Sequence, residues 1–490
     1  MGEALSESKT MVSQHVSGQA ADTEAAARVA EVVARARAAQ RLFEQFDQVR
    51  VDEAVTGIAW ALMQPDRNRE LSELAVKVTG LGNVRDKMIK NERKTKGLLR
   101  DLKGRKTVGV IRELPELGLV EIARPVGVVG AVVPSTNPAA TPANKVINAL
   151  KCRNAVILSP SPKGAEVCAR LVGYMHEELD RVGAPRDLVQ YLPTPVTKEM
   201  TLELMRQVDL VLVTGSQNNV RAAYASGTPA IGVGTGNVPV IVDASADLDD
   251  AAARIAASKT FDNATSCSSE NSLVIVDEVY DAMLAAMARQ GAVLLDAQEK
   301  QRLQENLWQQ GALNRNLLAR SAVEIARATG IDRATGDDVR ILMVEESGVG
   351  RDHPFSSEKL SPVLTLYRAR DFDAAFDRVR EILEHQGAGH SCGIHTRDDD
   401  HVRRLGLEMP VCRVIVNQAH AFATGGSFDN GLPFSLSMGC GTWGGNPISE
   451  NLNVNHYMNI TRIARSIPPV EPTMQELFEP YWKKYGIDAD

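Results

Sequence analysis

The sequence predicts an α/β protein, with a doubly wound parallel sheet and a second α/β unit behind it. Three observations predict this. Short apolar runs such as Val126–Val133 and Ala155–Leu158 lack the alternation of a half-wet strand, as strands buried on both faces do. Stretches of helical texture separate them. After Asp243 the alternation begins again.

Taken in order, residues 1–20 read as a frayed, disordered terminus. Ala21–Phe46 is rich in Ala, Arg, Glu and Val and reads as helix, and helical pattern continues to Leu102. Residues 91–106 carry seven Lys/Arg against two acids. They read first as a solvated helix face, with nucleotide phosphates as the alternative partner. Strands are expected at Val126–Val133, Ala155–Leu158, Leu188–Leu192, Asp209–Thr214 and Pro239–Val242, with helices over Pro138–Leu150 and Ala165–Asp180. The second series begins with helix Asp247–Phe261 and a small polar loop holding Cys267. Strand Ser272–Val276, helix Asp277–Gln290 and strands Arg340–Val344, Val363–Tyr367 and Arg413–Asn417 follow.

Composition excludes several classes of function. With 44% hydrophobic and 24% charged residues, the 490-residue chain is of ordinary globular make-up. A net charge of −7 and only 4% aromatics argue against nucleic acid and anionic lipid as partners. No apolar run is long enough to span a membrane, and the polar N-terminus lacks the core of a signal peptide. The six cysteines, at 152, 168, 267, 392, 412 and 440, have no metal-ligand spacing and read as the reduced thiols of a cytoplasmic protein without a bound metal.

Four segments carry chemistry. Cys267 sits among Thr265, Ser266, Ser268 and Ser269, small neighbours that leave room for a substrate. For the other five cysteines a buried small hydrophobe is sufficient. Pro134, Ser135, Thr136 and Asn137 follow a buried strand. Asn137 ahead of Pro138 is explained structurally as a helix cap, and functionally as an amide donor to an oxyanion. Thr214, Gly215 and Ser216 form a strand–turn–helix step suited to a pyrophosphate. Ile231–Asn237, with Val233 and Gly234, alternates glycines. That suits either a tight turn or close approach to a flat ring or pantetheine arm.

In this order and spacing, together with Glu358 and Pro362 of the segment 358–362, the motifs resemble the aldehyde dehydrogenase superfamily over residues 25–465. The resemblance implies a Rossmann-type cofactor domain over 21–243 with a return segment at 418–450. It implies a catalytic cysteine domain over 244–417, a β-arm for oligomerisation at 114–126 and 451–467, and a surface tail at 468–490. It makes Cys267 the nucleophile and Asn137 an oxyanion donor. It places Glu358 at the nicotinamide ribose and Ser216 at the cofactor phosphates. Hydrolytic members carry a glutamate where this chain has Val233, and valine cannot act as a general base. A thioester on Cys267 then waits for coenzyme A.

Lys259–Asn263 and Gly439–Asn446 are similar to the CoA-acylating branch. Segments 159–164 and 264–271 are most similar to the acylating sulfoacetaldehyde dehydrogenases. That similarity implies reversible oxidation of sulfoacetaldehyde to sulfoacetyl-CoA. Acylating succinate-semialdehyde or acetaldehyde dehydrogenase, or a hydrolytic semialdehyde dehydrogenase, remain the alternatives. Ser159 and Pro162 stand where relatives present Lys and Glu to the adenosine ribose, so Ser159, Ser161 and Lys163 are expected to favour NADP over NAD. Thr265, Ser266, Ser268, Thr424, Gly425, Gly426 and Ser427 are the expected polar lining for a sulfonate. A homodimer or homotetramer is expected.

Overall fold

The computed structural model describes the backbone of residues 2–488 and the side chains of residues 23–488. The terminus expected to fray over residues 1–20 lies outside the residues described in full. Four helices come first: α1 (Gly2–Phe43), α2 (Gln48–Met63), α3 (Pro65–Thr79) and α4 (Val84–Leu102). Their starts are written locally. Asp47 accepts from the Arg50 amide at the head of α2, Asn83 accepts from the Asp86 amide at the head of α4, and Pro65 fills the first position of α3.

Strands β1 (Gly109–Leu114) and β2 (Leu119–Pro125) then form an antiparallel pair. The first parallel sheet follows as β3 (Val128–Val133), α5 (Ala140–Lys151), β4 (Ala155–Pro160), α6 (Ala165–Arg181), β5 (Val189–Tyr191), α7 (Lys198–Gln207), β6 (Leu210–Val213), α8 (Gln217–Tyr224) and β7 (Ala230–Gly232). Its spatial order is β5-β4-β3-β6-β7. The chain runs outward from β3 to β5 and returns on the other side as β6. A crevice therefore opens beyond the carboxyl ends of β3 and β6, where doubly wound sheets bind ligands.

The second sheet is built from β8 (Val238–Val242), helix α9 (Leu248–Thr260), β9 (Glu270–Val276) and β10 (Ala292–Leu294). A small hairpin, β11 (Trp308–Gln309) and β12 (Ala312–Leu313), precedes β13 (Ile341–Glu345), β14 (Val363–Ala369), β15 (Cys392–His395) and β16 (Val414–Val416). Its order is β10-β13-β14-β9-β8-β15-β16, parallel throughout. The sequence reading assigns Pro239–Val242 to the first domain. The structure corrects this: β8 pairs with β9 and β15, so the crossing between sheets falls between Gly232 and Val238 and not after Asp243. Periodicity cannot locate such a crossing, because strands of both sheets are equally apolar.

Strand β17 (Met458–Ala464) lies antiparallel along β2, with Ile460 opposite Ala123. The first core takes Val29 and Val33 from α1 and Ile58 and Leu62 from α2. It also takes Phe434, Leu452 and Tyr457 from the returning chain. The second sheet buries Ile255, Met283 and Met287 on one face and Phe376, Val379 and Leu383 on the other. Near the C-terminus a helix over Met474–Tyr485 buries none of its residues.

Candidate active site

Between the carboxyl ends of β3 and β6 and the entry to β8, β9 and β14 lies a cavity of about 370 Å3. Cys267 reaches it from the loop before β9. That loop is strained. Asp262, Asn263 and Ala264 all adopt left-handed φ, at 51°, 51° and 59°, each costing about 1–3 kcal/mol. A buried ionic clamp holds it. The Asp262 carboxylate accepts from Lys87 Nζ at 3.1 Å, Lys90 Nζ at 2.6 Å, the Thr265 hydroxyl at 2.7 Å and the Asn83 amide at 2.9 Å. Burial alone raises the Asp262 pKa, but the two ammonium groups outweigh it and hold the carboxyl below its ordinary value.

The same clamp aims Asn137. Lys90 Nζ donates to Asn137 Oδ1 at 2.8 Å and to Thr265 Oγ1 at 2.9 Å. With its oxygen so engaged, Asn137 turns its NH2 to other partners. The expectation that Asn137 caps the following helix is overturned. Helix α5 starts at Ala140 and Ala139 holds the cap position, so the Asn137 side chain is free of that duty.

Cys267 Sγ lies 3.5 Å from His390 Nε2. His390 Nδ1 is 2.7 Å from the Ser391 hydroxyl, which is 2.9 Å from His420 Nε2. Burial pushes the thiol up to about 12, with Glu358 and Cys440 adding to the effect. Burial and Arg413 push the His390 ring down to about 3. At rest the pair is therefore a neutral thiol donating to a neutral imidazole. Arg413 fixes this corner by donating to the carbonyls of His390 and Gly439 and to Asn451 Oδ1.

Most of the sequence-predicted residues line the cavity: Pro134, Thr136, Asn137, Thr214, Gly215, Ser216, Val233, Gly234, Thr265, Ser266, Cys267, Ser268, Glu358 and Gly425. Others do not. Ser135 sits beside the cavity without lining it. Ser159 is buried and paired with Thr201 at 2.9 Å. Ser161 carries a buried hydroxyl without a partner, and Lys163 is exposed. The Pro362 carbonyl serves the second sheet by accepting from Leu342. Thr424 turns its hydroxyl onto the His420 carbonyl at 2.8 Å, and Gly426 stands where a Cβ would strike Phe434. Ser427 is buried and receives Arg93 Nη2 at 2.5 Å. The alternating glycines serve packing within the chain. A Cβ on Gly236 would fall 2.0 Å from the Cys267 carbonyl oxygen, and one on Gly234 would fall 2.9 Å from Cys440 Sγ.

Glu358 is the only carboxylate lining the cavity among the described residues. Burial raises its pKa to about 8, and Oε1 is buried without a partner. An orphaned acceptor of this kind fits a sugar hydroxyl. The Ser216 turn at the head of α8 leaves space beside Gly215, so the crevice fits a dinucleotide. Sequence reasoning missed His390, Lys90, Arg93 and Lys94. For the three on α4 the signal was present in their spacing, which places them on one helix face.

The model of the aldehyde dehydrogenase family matches residues 5–431. The chain belongs to the aldehyde dehydrogenase family. Within this family it is 62% identical to the sulfoacetaldehyde dehydrogenase (acylating) of Cupriavidus necator, over 94% of both chains. Its structure resembles an acetylating aldehyde dehydrogenase from Geobacillus thermoglucosidasius (TM-score 0.88, 37% identity, 92% of this chain and 99% of that one). It also resembles a propionaldehyde dehydrogenase from Rhodopseudomonas palustris with bound CoA and an acylated cysteine (TM-score 0.81, 25% identity, 89% and 97%). The α/β fold with parallel sheets expected from sequence is thus met by this aldehyde dehydrogenase. No helix among its described residues is long and apolar enough to cross a membrane.

Proposed function

We propose that the protein is an NAD(P)-dependent, CoA-acylating dehydrogenase that converts sulfoacetaldehyde to sulfoacetyl-CoA. One observation carries the acylating reading. Val233 lines the cavity where a hydrolytic relative carries its base, and Glu358, the only carboxyl lining it among the described residues, has its pKa raised by burial to about 8. At that position water near Cys267 meets a valine, which cannot act as a general base. The names of the similar enzymes support the same substrate and acceptor.

In this mechanism His390 takes the Cys267 proton as sulfur bonds to the aldehyde carbon. The resulting oxyanion accepts from Asn137 Nδ2, held in place by Lys90, and from the Cys267 amide. Removing one such donor costs about 2.7–4 kcal/mol. A nicotinamide would be held against Glu358 and would supply the hydride acceptor; loss of hydride from the bound carbon leaves a thioester on Cys267. His390 passes that first proton to solvent; the CoA thiol then gives its proton to His390 and attacks the thioester carbon, and Cys267 leaves as the thiolate and regains a proton from His390. One thioester replaces another, so the reaction runs both ways. Ser161 and Lys163, but not the internally paired Ser159, are the side chains available to a 2′-phosphate and favour NADP. We infer that β1, β2 and β17, which expose Val110 and Ile463, form the contact of a homodimer or homotetramer. The free cysteines fit a cytoplasmic enzyme.

The test is a panel of sulfoacetaldehyde, succinate semialdehyde and acetaldehyde, each with CoA and either cofactor. Sulfoacetaldehyde is expected to give the highest kcat/KM, with the acyl-CoA as product. A higher value for either competitor overturns the substrate.

A further inference from the structure

One turn of α4 puts three cations on the cavity that holds Cys267: Lys90, Arg93 and Lys94. Their situations differ. Lys90 has three N–H donors and three partners, Asp262, Asn137 and Thr265, so it is paired with a carboxylate, shared with Lys87, and its donors are spent. Among the described residues no carboxylate lies within ion-pair distance of Arg93 or Lys94; Asp429, which accepts from the Ser427 hydroxyl, offsets Arg93 only from farther off. Arg93 gives Nη2 to the Ser427 hydroxyl at 2.5 Å and leaves Nε buried without a partner. Its guanidinium lies between the rings of Phe422 and Phe428, at 5.4 and 5.3 Å, which fix its plane. Lys94 gives one N–H to the Gly425 carbonyl at 2.7 Å and keeps two. Phe434 backs the pair, seated so close to α4 that a Cβ on Gly97 would fall 2.2 Å from its ring.

Cations held partly away from water with no carboxylate in contact are costly unless an anion completes them. Burial, Arg93 and Lys90 push Lys94 down to about 7, as expected of a lysine waiting for a counter-ion. The hydroxyls flanking Cys267 are partly engaged with one another and with the clamp. Thr265 donates to Asp262, and the Ser266 and Ser268 hydroxyls pair with each other at 2.8 Å. The geometry points to Arg93 and Lys94 as the seat of the substrate's sulfonate. This rests on the sulfoacetaldehyde reading above. In that aldehyde the sulfur is bonded to the carbon next to the reacting carbonyl, so its seat must adjoin Cys267. A planar guanidinium and an ammonium with two spare N–H groups together satisfy three sulfonate oxygens.

The test compares kcat/KM for sulfoacetaldehyde and for propionaldehyde, an uncharged aldehyde of similar length, in Arg93→Met and Lys94→Met. Lys94→Arg serves as the conservative control, and thermal midpoints are recorded. Each Met variant is expected to lose about 10- to 100-fold on sulfoacetaldehyde, the worth of one or two hydrogen bonds to a charged group. Propionaldehyde is expected to change less than about 3-fold or improve, and Lys94→Arg to recover most of the loss. Ethanesulfonate, competitive against sulfoacetaldehyde in the wild type, is expected to lose inhibition in both Met variants. Parallel loss on both aldehydes, or an unchanged preference, overturns the seat. A wild type without preference for sulfoacetaldehyde overturns the substrate reading instead. If a Met variant fails to fold, Arg93→Gln and Lys94→Gln are read by the same ratio.

Discussion

Cys267 is kept protonated by the burial that also shelters whatever it binds, and His390 is kept neutral by the same burial. In the proposed reaction, sulfur chemistry begins with a proton passing from Cys267 to His390, 3.5 Å away. In the proposed reaction the fate of the acyl group then turns on Val233. Val233→Glu returns a carboxyl to the cavity at the position of the hydrolytic base. This variant is expected to release free acid without CoA at least about 10-fold faster than the wild type, read by product chromatography. No gain would mean that position 233 does not decide between water and thiol. Cys267 and Asn137 were legible because short motifs surround them. His390 was not: its neighbours in sequence say nothing of the sulfur it meets 123 residues away in the chain. Arg93 and Lys94 were visible as charge and misread as a solvated face, since sequence does not record which side of a basic helix is buried.

The strained turn before Cys267 and the head of α4 form one element, joined through Asp262. Asp262→Asn leaves Lys87 and Lys90 buried without their anion, a loss of about 3–5 kcal/mol for a broken buried pair. The expected result is a lower thermal midpoint together with a fall in kcat as Asn137 loses its aim. Unchanged stability would contradict the clamp. The pH dependence has a definite sign. Asp262 is depressed in the folded state, so its contribution is present above the ordinary carboxyl pKa. It is lost as pH falls through the lower folded value. The Asn variant is expected to lack this acid limb. Asn137 before Pro138 looked sufficient as a cap, and the helix begins later. A residue relieved of a backbone duty is available for chemistry, a distinction that only the helix start reveals.

At the scale of the molecule, two parallel sheets face each other so that the carboxyl ends of one meet the entry to strands of the other. The alternation of apolar runs and helices gave the α/β class and nine of the twelve strands of the two sheets, missing the short β7, β10 and β15. The crossing at β8 and the return of Phe434 into the first core depend on contacts distant in sequence. The whole arrangement supports one claim: the acyl group stays on sulfur until a thiol arrives. The direct measurement is a rapid-quench experiment with enzyme, sulfoacetaldehyde and cofactor but no CoA, followed by mass analysis of the Cys267 peptide. The account predicts one equivalent of reduced cofactor per active site, an acylated Cys267, and resumed turnover when CoA is added. Steady release of free acid without CoA, with Cys267 unmodified, would contradict it.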